Sequence, residues 1–139
     1  MIKFVYQNKP LGTGDAVKSV FNSYNLSDSD GIIIIFGDTP LLKLETINNL
    51  IKSISRNDLT ITCFESENPQ GYGRIILKND KLHSIVEDAE TTKNNKDIKL
   101  CNGGLMALKN NGLEKYLDLL NNNNNKKEYS LTDLVKIIN

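Results

Sequence analysis

Three features of the chain predict an α/β fold, in which helices cover a central sheet. Residues 32–36, four isoleucines and a phenylalanine, are apolar without alternation, which marks a strand covered on both faces. Leu44, Ile47, Leu50, Ile51 and Ile54 then recur at three- and four-residue spacing, the stripe of an amphipathic helix. Leu59, Ile61 and Cys63 alternate with Thr60, Thr62 and Phe64, so a strand follows the helix, and this order belongs to a helix-covered sheet.

The remaining elements follow in order. Ile2, Phe4 and Tyr6 alternate with Lys3, Val5 and Gln7, which predicts a short N-terminal strand ended by Pro10. Leu11-Gly12-Thr13-Gly14-Asp15 opens a helix whose apolar face is Ala16, Val17, Val20, Phe21 and Tyr24, with Asp15 as its N-cap. The isoleucine run stops at Gly37-Asp38-Thr39-Pro40. Gly71-Tyr72-Gly73-Arg74 leads into a hairpin, residues 75–77 and 82–87 about a turn at 78–81. Residues 88–99 are polar and read as helix or loop, and residues 100–108 are apolar around Asn102-Gly103-Gly104. Leu113, Tyr116, Leu117 and Leu120 predict a helix, and Leu131, Leu134, Val135 and Ile138 begin another.

A chain of 139 residues makes one domain with a real core. Its 17 basic and 17 acidic side chains cancel, so no global charge recruits a polyanion and nucleic acid is not an expected partner. The longest apolar run is too short to cross a membrane, and no secretory signal is visible. Cys63 and Cys101, without metal-ligand spacing, read as reduced core thiols of a cytoplasmic protein. Asparagine is abundant, at 19 residues against 2 arginines, and the run 121–125 reads as a solvated loop without fixed geometry.

Asp38 is the first candidate for chemistry. A carboxylate at the C-terminal end of a buried strand stands where open α/β sheets bind ligands, and it suits Mg²⁺; the other reading is a turn residue before Pro40. In Leu11-Gly12-Thr13-Gly14 two glycines let backbone N–H groups approach a base or phosphate, or simply make a turn. Asn68-Pro69-Gln70-Gly71-Tyr72-Gly73-Arg74 is explained as a tight connection. Glu87 and Asn102, polar at the ends of apolar strands, meet at one sheet edge or are solvated termini. His83 reads as an exposed side chain.

Six stretches in order, Q-x-x-x-LGTG-x-A, FGD-T-PLL, NPxGYGRI, IVE, CN-x-G and E-Y-x-LTD, carry a resemblance. The chain resembles the uridyltransferase domain of bifunctional N-acetylglucosamine-1-phosphate uridyltransferases, within the nucleotide-sugar pyrophosphorylases. The resemblance implies a Rossmann-like nucleotide-diphospho-sugar transferase fold: three layers, a mostly parallel sheet with a β-hairpin insertion, incomplete at the N-terminus. Residues 1–139 would be a partial nucleotidyltransferase domain that joins UTP and N-acetylglucosamine 1-phosphate into UDP-N-acetylglucosamine and pyrophosphate, using Mg²⁺. By the same resemblance Gln7, Gly12 and Thr13 would contact the uracil and its surroundings, Phe36 and Gly37 would line the nucleotide site, and Asp38 would hold the metal. Gly73, Glu87 and Asn102 match positions that hold the amino sugar.

The departures are equally specific. The family's glycine-rich triphosphate loop and nearby lysine have no counterpart here, nor does its second metal-coordinating asparagine. Phe36 stands for a tyrosine, Ala89 for a lysine and Gly103 for a threonine. These departures leave a second expectation: a non-catalytic remnant, or half of a split enzyme. The isoleucine strand would then show an unpaired edge and self-associate or take a strand from a second chain.

Overall fold

The computed structural model describes all 139 residues. In chain order its elements are α1 (Thr13–Ser23), β1 (Gly31–Ile34), α2 (Leu44–Ile54), β2 (Leu59–Glu65), β3 (Arg74–Lys78), β4 (Lys81–Val86), β5 (Leu100–Lys109), α3 (Leu113–Asp118) and α4 (Leu134–Ile138). Single 3₁₀ turns occupy Asp88–Glu90 and Leu131–Asp133.

The longest strand, β5, is the axis of the sheet. One of its edges pairs with β2; the other is shared by β1, opposite residues 106–109, and β3, which meets it at Cys101 and carries β4 beyond. Leu105, Met106, Ala107 and Leu108 are all at most 3% exposed, because both faces of the sheet are covered. Met106 and Leu108 pack with Leu113, Leu117, Leu131 and Leu134 on one face; Leu105 and Ala107 pack with Leu50 of α2 on the other. The isoleucine strand divides likewise, Ile32 and Ile34 to the first core and Ile33 to the second. Residues 32–34 therefore face two cores, as expected, but β1 ends at Ile34, and Ile35, expected within the covered strand, is 44% exposed just beyond it.

The expected α/β class and three layers hold, but the mostly parallel order does not. Every recorded pairing is antiparallel. Both β1 and β2 run antiparallel to β5 and hence parallel to each other, as a strand-helix-strand unit requires. What separates them is β5, inserted from late in the chain, and hydrophobic periodicity carries no information about such an insertion.

Three local expectations change and one holds. Ile2, Phe4 and Tyr6 form no strand and are 84%, 90% and 85% exposed, because alternation supplies strand propensity but a strand also needs a hydrogen-bonded neighbour. Gly12, not Asp15, caps α1; Asp15 sits in its first turn, where it accepts a hydrogen bond from Gln7 Nε2 at 2.6 Å. Cys101 is buried but Cys63 is exposed, since the pairing of β2 with β5 steps between Ile61 and Cys63 and breaks the alternation. The hairpin is as expected: Asn79 and Asp80, at φ 52° and 57°, form its two-residue turn, with both residues in the left-handed region that such a turn needs.

Candidate functional site

The step in β5 is where the site begins. Gly103 lies so close to β2 that a Cβ would be 2.7 Å from Thr62 Oγ1 and 3.0 Å from the Thr62 carbonyl oxygen. Gly104, at φ +82°, runs against the ring of Phe36, and Thr62 Oγ1 takes the Leu105 N–H at 3.2 Å. This bulge fixes Asn102: its Oδ1 accepts the Gly104 N–H at 3.0 Å, and its own N–H donates to the Gly73 carbonyl at 2.8 Å. The amide Nδ2 of Asn102 is left with no protein partner.

Glu87 arrives from the end of β4. A Cβ on Gly73 would stand 3.6 Å from the Asn102 side chain and 3.7 Å from Glu87 Oε2, so Gly73, Glu87 and Asn102 meet at one point from three separate stretches. The Thr132 hydroxyl donates to Glu87 Oε1 at 2.9 Å and pairs with Ser130 Oγ at 2.8 Å, which leaves Oε2 as the open acceptor. An open carboxylate oxygen and an open amide, on two residues that meet at Gly73, suit a ligand hydroxyl, which donates to the first and accepts from the second. Glu87, Asn102, Thr13, Phe36 and Thr132 line a cleft of about 560 Å³, together with Asn121, Asn123, Asn124 and Asn125 of the asparagine run.

Two motifs far apart in sequence close this cleft. The Tyr129 carbonyl accepts the Gly14 N–H at 2.8 Å, the Tyr129 N–H donates to Leu11 at 2.8 Å, and Leu131 N–H donates to Thr13 Oγ1 at 3.0 Å. The close backbone approach that glycine allows at Gly12 is thus to Tyr129. Gln7 lies outside the cleft: its Nε2 binds the Gly12 carbonyl at 3.2 Å and the Asp15 carboxylate, in a separate groove against α1. Gly37 and Asp38 stand on an exposed turn after β1, shaped by Thr39 Oγ1 donating to the Phe36 carbonyl at 2.8 Å. No group of three His, Cys, Asp or Glu side chains gathers to hold a metal.

Behind Gly73 and Glu87 stands Arg74, its side chain 3% exposed. Its guanidinium binds Asp88 Oδ1 at 2.8 Å, the Lys96 carbonyl at 3.2 Å and the Tyr72 carbonyl, joining the loop before β3 to the turn after β4. The Arg74 hydrogen bond, helped by the Gly71 N–H, holds the Asp88 carboxyl below its ordinary 3.8. A depressed folded value means that Asp88 contributes stability above the unfolded value, lost as pH falls through the lower folded one. Urea midpoints followed from about pH 5 to about pH 2 are expected to fall more for the parent than for Asp88→Asn, and equal losses would contradict the coupling.

Sequence reasoning missed Thr132, Ser130 and the asparagine run. Thr132 carries a weak signal: it stands in the LTD motif directly after Leu131, 1% exposed, and two residues before Leu134, fully buried, where a half-buried hydroxyl needs a partner.

No family model matches the chain. Among curated proteins, the bifunctional protein GlmU of Brucella anthropi is 39% identical over 132 residues, covering 94% of this chain. That of Fervidobacterium nodosum is 41% identical over 136 residues, covering 96%. The chain is a homologue of part of GlmU. It spans 29% of the length of those two proteins. A probable UDP-N-acetylglucosamine pyrophosphorylase of Acanthamoeba polyphaga mimivirus is 40% identical over 141 residues, covering 99% of this chain and 55% of that protein. Among solved structures, UDP-glucose pyrophosphorylase complexed with UDP-glucose aligns with 96% of this chain at a TM-score of 0.68 and 18% identity, over 52% of its own length. HddC from Yersinia pseudotuberculosis aligns with 91% at a TM-score of 0.58 and 24% identity, over 48% of its length. The fold is that of the sugar nucleotidyltransferases.

Proposed function

We propose that this chain is part of a uridyltransferase that joins UTP and N-acetylglucosamine 1-phosphate into UDP-N-acetylglucosamine and pyrophosphate, and that its cleft holds the amino sugar. The observation that carries the reading is the meeting of Gly73, Glu87 and Asn102, which brings a residue with an open carboxylate oxygen to one with an open amide. The name of the mimivirus relative, a probable UDP-N-acetylglucosamine pyrophosphorylase, supports the same substrate class.

In this reading Phe36 and Gly37 border the nucleotide, and Gln7, Gly12 and Thr13 lie toward the base. The exposed Asp38 carboxylate fits Mg²⁺, a hard cation that takes few protein oxygens and leaves the rest of its shell to water and phosphate; bound there it would neutralise phosphate charge. A sugar phosphate oxygen attacks the α-phosphorus of UTP, and the protein contributes alignment and charge neutralisation. The two free thiols support a cytoplasmic location, and the unpaired outer edge of β1 supports self-association or a second chain.

One observation favours a second reading, a module that binds the sugar nucleotide without turning it over: Asp38 lies outside the cleft that holds Glu87 and Asn102. Pyrophosphate release from UTP, N-acetylglucosamine 1-phosphate and Mg²⁺ separates the two. The enzyme reading expects release that falls on the order of 100-fold in Asp38→Asn. The module reading expects binding without release. Release unaffected by Asp38→Asn or Glu87→Gln would contradict the assigned roles.

A further inference from the structure

The asparagine run is not the shapeless loop its composition suggests. Its own amides fold it: Asn124 Nδ2 donates to the Glu128 carbonyl at 2.6 Å while its Oδ1 accepts the Glu128 N–H at 3.2 Å, and Asn121 Oδ1 accepts the Asn123 N–H at 3.0 Å. Lys127, at φ 56°, turns the chain back toward Tyr129 and the clasp with Gly12. Asn121, Asn123, Asn124 and Asn125 all line the cleft, but Asn121 and Asn124 spend their side chains on building the loop, whereas Asn123 and Asn125 are exposed and their side chains have no protein partner.

The charge of the cleft narrows what they meet. Glu87, Glu90, Glu128 and Asp133 line it against Lys126 and Lys136, so the cavity is net acidic and disfavours phosphate. Amides both donate and accept, which suits neutral hydroxyl and acylamido groups. We infer that Asn123 and Asn125 form a recognition wall of this cleft for the neutral, hydroxyl- and acylamido-bearing ring of the sugar.

This inference rests on the cleft being the sugar site, and its test separates the two. The full ¹⁵N-labelled chain is titrated with N-acetylglucosamine 1-phosphate as parent, Glu87→Gln, Asn122→Ser, and the double variant Asn123→Ser/Asn125→Ser. Serine keeps the backbone bond of residue 123, and dispersed spectra establish that each variant is folded. The expected result is a loss of affinity of about tenfold or more in the double variant, a loss in Glu87→Gln, and none in Asn122→Ser, whose side chain is outside the cleft. A double variant that binds as the parent does while Glu87→Gln weakens overturns the wall and leaves the sugar site standing. A parent that does not bind the probe overturns both.

Discussion

Gly12→Ala is expected to destabilise the chain by about 4 kcal/mol, the sum of a backbone conformation restricted to glycine and an overpacked contact. At φ 115° and ψ 173°, Gly12 occupies a region that L side chains do not adopt without strain. An added Cβ would also stand 2.5 Å from the Tyr129 carbonyl oxygen and 2.8 Å from its nitrogen, both backbone atoms that cannot rotate away. Gly112→Ala is the matched control. Its φ is +80°, yet nothing lies within 4 Å of the added Cβ, so it costs strain alone, about 1–2 kcal/mol. The difference between the two urea midpoints measures how tightly the LGTG loop is clasped to residues 129–131. Equal costs would contradict the clasp.

Gly103→Val is expected to cost about 3 kcal/mol and to abolish sugar binding as well. Here the new side chain meets Thr62 Oγ1 and the Thr62 carbonyl together, so β2 and β5 must separate where their register steps. Separation loses the bond from Leu105 N–H to Thr62 and moves Asn102, whose position depends on Gly104 and Gly73. Removing the hydroxyl in a Thr62→Ala background relieves only part of the clash, because the carbonyl remains. Full recovery of stability and binding in that double variant, read by denaturation and titration, would show that the bulge does not aim Asn102.

Which parts of this were legible in the sequence follows from what local pattern encodes. The isoleucine strand announced two covered faces because Ile32, Ile33 and Ile34 alternate between two cores, although Ile35 beyond them is exposed, and the hairpin announced itself through turn residues between two apolar runs. The antiparallel insertion of β5 between β1 and β2 was not legible, since alternation reports which face a residue takes and not which strand lies beside it. Gly73, Glu87 and Asn102 were singled out separately, but their meeting depends on the bulge at Gly103 and Gly104, a three-dimensional event with only two adjacent glycines as its trace. Gln7 and Asp38, which the resemblance assigns to the base and the metal, lie outside the cleft that Glu87 and Asn102 line. The asparagine run was read as solvated polar sequence because composition does not reveal that Asn121 and Asn124 spend their amides on the loop itself.

The most direct test of the central claim, that three distant stretches form one sugar-holding cleft, is a ¹H-¹⁵N titration of the chain with UDP-N-acetylglucosamine in Mg²⁺. The account expects the amides of Gly73, Glu87, Asn102 and Thr132 to shift together along one binding curve, with the curve weakened about tenfold in Glu87→Gln. Shifts that leave these four amides unmoved, or that persist unchanged in Glu87→Gln, would contradict it.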